Sequence, residues 1–199
     1  MWIDNVKIFF ELSPLQIIAL TTYLEARSEG KIGMQAVINV IHNRRLHPPS
    51  YFQDPDILEA TNSPYHAVCL KKWQFSSYNL GDSQRVIAER LSNPATFNAE
   101  LQNNSALKDV WEVCQVLVAG RLTEITGGAD HYFATYIKRP DWTQGMVYRT
   151  TIGRHEFWSA PPHISEQPQV FRPERNLTIT PENELLKVVV PSTIVGIVP

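Results

Sequence analysis

The segment Tyr23-Leu24-Glu25-Ala26-Arg27-Ser28-Glu29-Gly30 is where residue types and spacing point most directly to chemistry. A glutamate at the end of an apolar-faced helix is poorly hydrated, and desolvation favours the neutral acid over the carboxylate. A carboxyl that keeps its proton near neutral pH is what general-acid catalysis requires. Glu29 lies one helical turn further on. A charge there should repel a second one and favour a proton on whichever carboxyl is more buried. Arg27, between the two, points to another side of the helix. Taken alone, the segment also reads as an ordinary solvated helix end.

Other candidates lie further along the chain. Gln74, Ser76, Tyr78 and Asn79 form a polar turn after Trp73, able to hydrogen-bond a ligand while Trp73 or Phe75 offers an apolar face. His131 and Tyr132 open a strand-like run. Alternate residues of a strand share a face, so His131 with Phe133 opposes Tyr132 with Ala134, and only one set can face a ligand. His131 and Tyr132 are nevertheless both candidates for the rim of a site, whereas His155 reads as a structural hydrogen-bonder. Metal-ligand spacing is poor. His42 and His47 fall off one helical face, and His155-Glu156 lacks the second histidine of H-E-x-x-H. Neither cysteine has a C-x-x-C partner, so no metal and no cofactor are expected.

Several pieces, in order, resemble the spore-cortex-lytic, SleB-like cell-wall hydrolase family. They are Tyr23-x-Glu25-Ala26-Arg27-x-Glu29-Gly30 and Gln35-Ala36-Val37-x-x-Val40-x-x-Asn43-Arg44, then Gln74-Phe75-Ser76. Gly120, Thr126, Gly128 and Ala129 lead to His131-Tyr132-Phe133, followed by Pro140 and Trp142, and by Ile152-Gly153-x-His155-x-Phe157. The resemblance spans about residues 16 to 158. It implies a mainly helical, lysozyme-like α+β domain that cleaves the bond between N-acetylmuramic acid and N-acetylglucosamine in peptidoglycan. Glu25 then matches the catalytic glutamate and Glu29 the second acidic position, with Gln74, Ser76, His131 and Tyr132 as substrate-binding candidates. Two carboxyls one turn apart cannot easily flank a sugar from opposite faces, as a two-carboxylate glycosidase requires. A single acid/base suits a lytic transglycosylase, in which the muramic 6-hydroxyl attacks internally and leaves a 1,6-anhydro end. The competing classes are a metal-dependent amidase or peptidase, a Cys-His hydrolase, and a non-catalytic glycan-binding or virion structural module. Against the family pattern, the long N-terminal binding module that many spore enzymes carry is not expected here, and the segments over 46–65 and 78–105 look longer and more polar than a minimal domain needs.

The elements that must position these residues follow from caps and periodicity. Ser13-Pro14 is a helix start, and that helix should run to Arg27 with Leu15, Ile18, Thr22 and Glu25 near one face. Gly30 breaks it. Helices are expected over 33–46, 63–70, 83–91 and 105–119, the last with a strong apolar stripe from Leu107 to Val118. A strand is expected over 131–136 and a hairpin about Gly153 within 147–158. The fold class is therefore mainly helical α+β with a small sheet over residues 1–158. A proline-rich extended arm follows over 159–199, and its Leu185–Val190 run is apolar enough to contact a partner chain.

At 199 residues with a formal charge of −2 and no Lys/Arg run, the chain does not read as a nucleic-acid binder. No apolar run is long enough for a membrane span. Cys69 and Cys114 lie within apolar patterns and read as buried free thiols. No secretory signal is legible. The expectation is a protein made in the cytoplasm that acts on the cell wall, as a phage lysin released by a holin or carried on a virion.

Overall fold

The computed structural model describes residues 1–161; the expected arm lies, from residue 162 on, outside the described residues. Nine α-helices are described: α1 (Trp2–Val6), α2 (Pro14–Ala26), α3 (Gly30–Leu46), α4 (Pro49–Phe52), α5 (Pro55–Thr61), α6 (Pro64–Cys69), α7 (Arg85–Arg90), α8 (Pro94–Asn103) and α9 (Ser105–Val118). They precede three strands, β1 (His131–Ala134), β2 (Val147–Ile152) and β3 (His155–Ser159). The mainly helical α+β class expected from the sequence is the class observed.

Helix α2 carries Glu25 and occupies the centre. Ser13 Oγ accepts the Gln16 N–H at 3.2 Å while the Gln16 side chain accepts the Ser13 N–H at 2.9 Å, a reciprocal cap. The expected single apolar face is not what forms. Residues 16–24 are buried on every side, because α3, α6 and α9 surround the helix, and Leu15 is only half-buried. Thr21 and Thr22, wholly buried, belong to this all-round packing. A helix enclosed in this way holds its last turn rigidly, which matters for Glu25. Cys69 and Cys114 are both free and buried in the same core.

Helix α3 carries a second pattern besides its apolar one. Gln35, Asn39 and Asn43 stand one turn apart and hold the irregular segment before β1 by its backbone. Gln35 Nε2 donates to Thr123 O at 2.8 Å, Asn39 Oδ1 accepts the Ile125 N–H at 3.2 Å, and Asn43 Nδ2 donates to Ala129 O at 2.8 Å. Thr126 Oγ1 closes the same segment by accepting the Ala129 N–H at 3.2 Å. This stripe places β1. The three strands form an antiparallel sheet in the order β1-β3-β2, with Gly153 (φ +56°) turning the β2–β3 hairpin. One sheet face packs Phe157 on Ala36 and Val40 of α3.

Candidate active site

Glu25 lies in the last turn of α2 and is partly exposed. Its Oε2 accepts the Tyr132 hydroxyl at 2.9 Å, and its Oε1 accepts Ser77 Oγ at 3.5 Å. Burial raises the Glu25 carboxyl above the usual carboxylate range. The Tyr132 hydrogen bond, the Arg44 charge and the Ser77 hydrogen bond oppose the rise, whereas the Asp82 charge adds to it. The net direction is upward, towards an acid that holds its proton.

Arg44 is buried behind this group. Its guanidinium lies over the Phe52 ring (5.4 Å) and the Phe75 ring (5.0 Å). Its Nε donates to Asp130 O at 2.7 Å and its Nη1 to Gln74 Oε1 at 3.0 Å. Gln74 Nε2 donates to Phe52 O, so both ends of the Gln74 amide are engaged by the protein. Gln74 therefore braces Arg44. In the turn that follows, Ser76 is exposed, and the neighbouring Ser77, wholly buried, is the serine that reaches Glu25. The polar turn was legible in the sequence; which serine points inward was fixed by the 3-10 geometry of Ser76–Tyr78.

Strand alternation separates the next two candidates. Tyr132 faces Glu25 and packs against His155 (5.3 Å, edge-on) and Phe157 (5.7 Å). His131 points to the opposite face. There its Nδ1 meets Asp130 Oδ1 at 2.6 Å, and its ring packs between Phe52 and Trp142. Asp130, which sequence reasoning did not single out, also pairs with His47 Nε2 at 3.2 Å. Burial would raise its carboxyl, but the hydrogen bonds from His131 and His47 outweigh that and hold it at about 2.

Glu29 turns to a partner of its own, and the like charge that raises Glu25 is that of Asp82 rather than the expected Glu29. Glu29 Oε1 accepts Arg154 Nε at 2.9 Å and Arg154 Nη2 at 2.5 Å, and its Oε2 accepts the Arg154 backbone N–H at 3.3 Å. These bonds, stronger than the opposing effect of burial, lower its carboxyl. Ser28 Oγ accepts a further Arg154 N–H at 3.0 Å. The pairing ties the α2–α3 junction to the β2–β3 turn. The two residues are far apart in the chain, and no local pattern announces a contact of that kind. Among the described residues, no group of three or more His, Cys, Asp or Glu side chains could hold a metal ion. No described helix is long and apolar enough to cross a membrane.

Comparison with known proteins gives the arrangement a context. The catalytic domain of the Bacillus cereus SleB protein is 21% identical, aligned over 73% of this chain and 89% of that one, with a TM-score of 0.43. The catalytic domain of the germination-specific lytic transglycosylase SleB from Bacillus anthracis is 24% identical, over 75% of this chain and 98% of that one, with a TM-score of 0.47. No curated protein sequence matches significantly. The family profile described as Cell Wall Hydrolase matches residues 28–158, from just after Glu25 through Glu29, Gln74 and the whole sheet to Trp158. The chain belongs to the cell wall hydrolase family.

Proposed function

We propose that this protein cleaves peptidoglycan glycan strands between N-acetylmuramic acid and N-acetylglucosamine as a lytic transglycosylase, with Glu25 as its single acid/base. The observation that carries this reading is the Glu25 carboxyl itself. It is desolvated and raised, and it is hydrogen-bonded by two hydroxyls. In the proposed reaction Glu25 protonates the glycosidic oxygen as the bond to the muramic C1 breaks. The resulting carboxylate then takes the proton of the muramic 6-hydroxyl as O6 bonds to C1, giving a 1,6-anhydro end and restoring the acid. Glu29, held by Arg154, has no step in this scheme. Membership of the cell wall hydrolase family supports the substrate class.

Mass spectrometry of fragments released from purified peptidoglycan tests the reading. Anhydro-muropeptides are expected. Reducing muramic ends would replace transglycosylation by hydrolysis, and free stem peptides would replace glycan cleavage by amidase action. Glu25→Gln keeps the shape but loses the transferable proton, so release should fall about 100- to 10,000-fold. Release at the wild-type rate by that variant removes Glu25 from the mechanism.

A further inference from the structure

A second group of side chains lies on the other face of β1 from Glu25 and has no part in the proton transfers. Tyr51 packs edge-on against Phe52 (4.6 Å) and Phe52 edge-on against His131 (5.5 Å), while His131 lies tilted against Trp142 (5.2 Å). His47 joins the row through Phe52 (5.0 Å) and Tyr51 (6.0 Å). The row is not a sealed core. Tyr51 is 55% and Trp142 39% exposed, and the His47 and His131 side chains are 28% and 27% exposed.

Beneath it lies Asp130, whose side chain is only 2% exposed and whose two oxygens take one imidazole each. Each imidazole turns one ring nitrogen to the carboxylate, His131 its Nδ1 and His47 its Nε2, so the carboxylate orients both rings and the other nitrogens, His131 Nε2 and His47 Nδ1, are held as polar groups in the row. An apolar patch awaiting a protein partner would need no buried carboxylate to aim two imidazoles. A row of aromatic faces interleaved with oriented polar ring nitrogens suits a ring with an apolar face and a rim of hydroxyl and amide groups.

The location points the same way. Arg44 links the two groups: its guanidinium covers Phe52 and donates to the backbone of Asp130, and its charge acts on Glu25. His131 and Tyr132 are consecutive on β1, whose outer edge has no strand partner among the described residues. A polymer lying along that edge would meet the Glu25 group and then the aromatic row.

We propose that Tyr51, His47, His131 and Trp142 form a saccharide subsite that holds a further sugar ring of the glycan strand, away from the bond being cleaved. This rests on the proposed glycan-strand activity. The test is calorimetric titration of the Glu25→Gln protein, which binds without cutting, with soluble uncross-linked glycan strands and with the single disaccharide unit. Tyr51→Ala and Trp142→Ala, each added to Glu25→Gln, should weaken binding of the long strands about tenfold and of the disaccharide far less. Tyr51, the more exposed of the two, keeps the test valid should Trp142→Ala disturb the sheet; thermal unfolding identifies that case. Long-strand affinities within twofold of the Glu25→Gln parent for the folded variants would overturn the subsite and leave the cleavage reading intact. Equal losses for strand and disaccharide would also overturn it, by placing the row at the cleavage centre. Failure of the underlying reading looks different: the wild type would release no sugar fragments at all.

Discussion

The proton on Glu25 is set by neighbours that act in opposite directions, which makes its titration testable one side chain at a time. Activity that depends on the protonated acid should fall on the alkaline side as Glu25 ionises. Asp82 raises the Glu25 carboxyl, so Asp82→Asn should move the alkaline limb to lower pH; the asparagine can still accept the Gln84 N–H that Asp82 Oδ1 now takes at 2.8 Å. Tyr132 favours the charged form, so Tyr132→Phe should move the same limb to higher pH. Rate profiles of the two variants against wild type decide the matter: shifts in the same direction would mean that another group controls the limb. The place of Glu25 at a helix end was legible in the sequence because a helix end and a glycine break are local facts. Asp82, Ser77 and Asp130 were not, since their roles come from side chains that meet across the fold.

The element that carries Tyr132 is held in place from a distance. Glu29, at the α2–α3 junction, grips Arg154 at the turn of the hairpin, and β3 of that hairpin pairs with β1, setting Phe157 opposite Tyr132. Gly153 belongs to the same latch: its φ of +56° disfavours other residues, and an added Cβ would stand 2.9 Å from Glu29 Oε2. Glu29→Gln should therefore slow cleavage by less than Glu25→Gln does and leave the alkaline limb in place, and Gly153→Ala should slow it similarly. A Glu29→Gln limb displaced to lower pH would instead restore direct repulsion between the two glutamates. At this scale the sequence was most readable where a capping residue precedes proline. Ser13-Pro14 and Ser63-Pro64 marked α2 and α6, and the same device opens α5 at Asp54-Pro55 and α8 at Asn93-Pro94, two helices not expected within the longer, polar segments over 46–65 and 78–105. The polar stripe on α3 escaped because its partners are backbone groups of an irregular segment, which no periodicity encodes.

Over the whole molecule, buried imidazoles determine how stability responds to acid. His42 and His66 are both lowered to about 4, chiefly by burial, from 6.5 in the unfolded chain. His155 is lowered for the same reason. Between pH 6.5 and about 4 the unfolded chain thus binds protons that the folded chain refuses, and stability must fall as pH falls through that window. Each histidine that is charged only when unfolded contributes a slope of up to about 1.4 kcal/mol per pH unit. Glu25 acts in the opposite sense: its raised carboxyl binds a proton first in the folded state, so falling pH favours folding until the unfolded chain also protonates near 4.5. Asp130, lowered to about 2 from 3.8, extends the loss to still lower pH. Urea unfolding of the Glu25→Gln protein removes the opposing group and isolates the histidines. Its midpoint should drop steadily from about pH 6.5 to about pH 4.5, and His66→Asn should lower the stability at neutral pH while making that drop shallower. A midpoint that stays level across the window would show that these imidazoles charge without unfolding the chain, and the core around α2 and α6 would then have to admit a charge or water that its packing excludes.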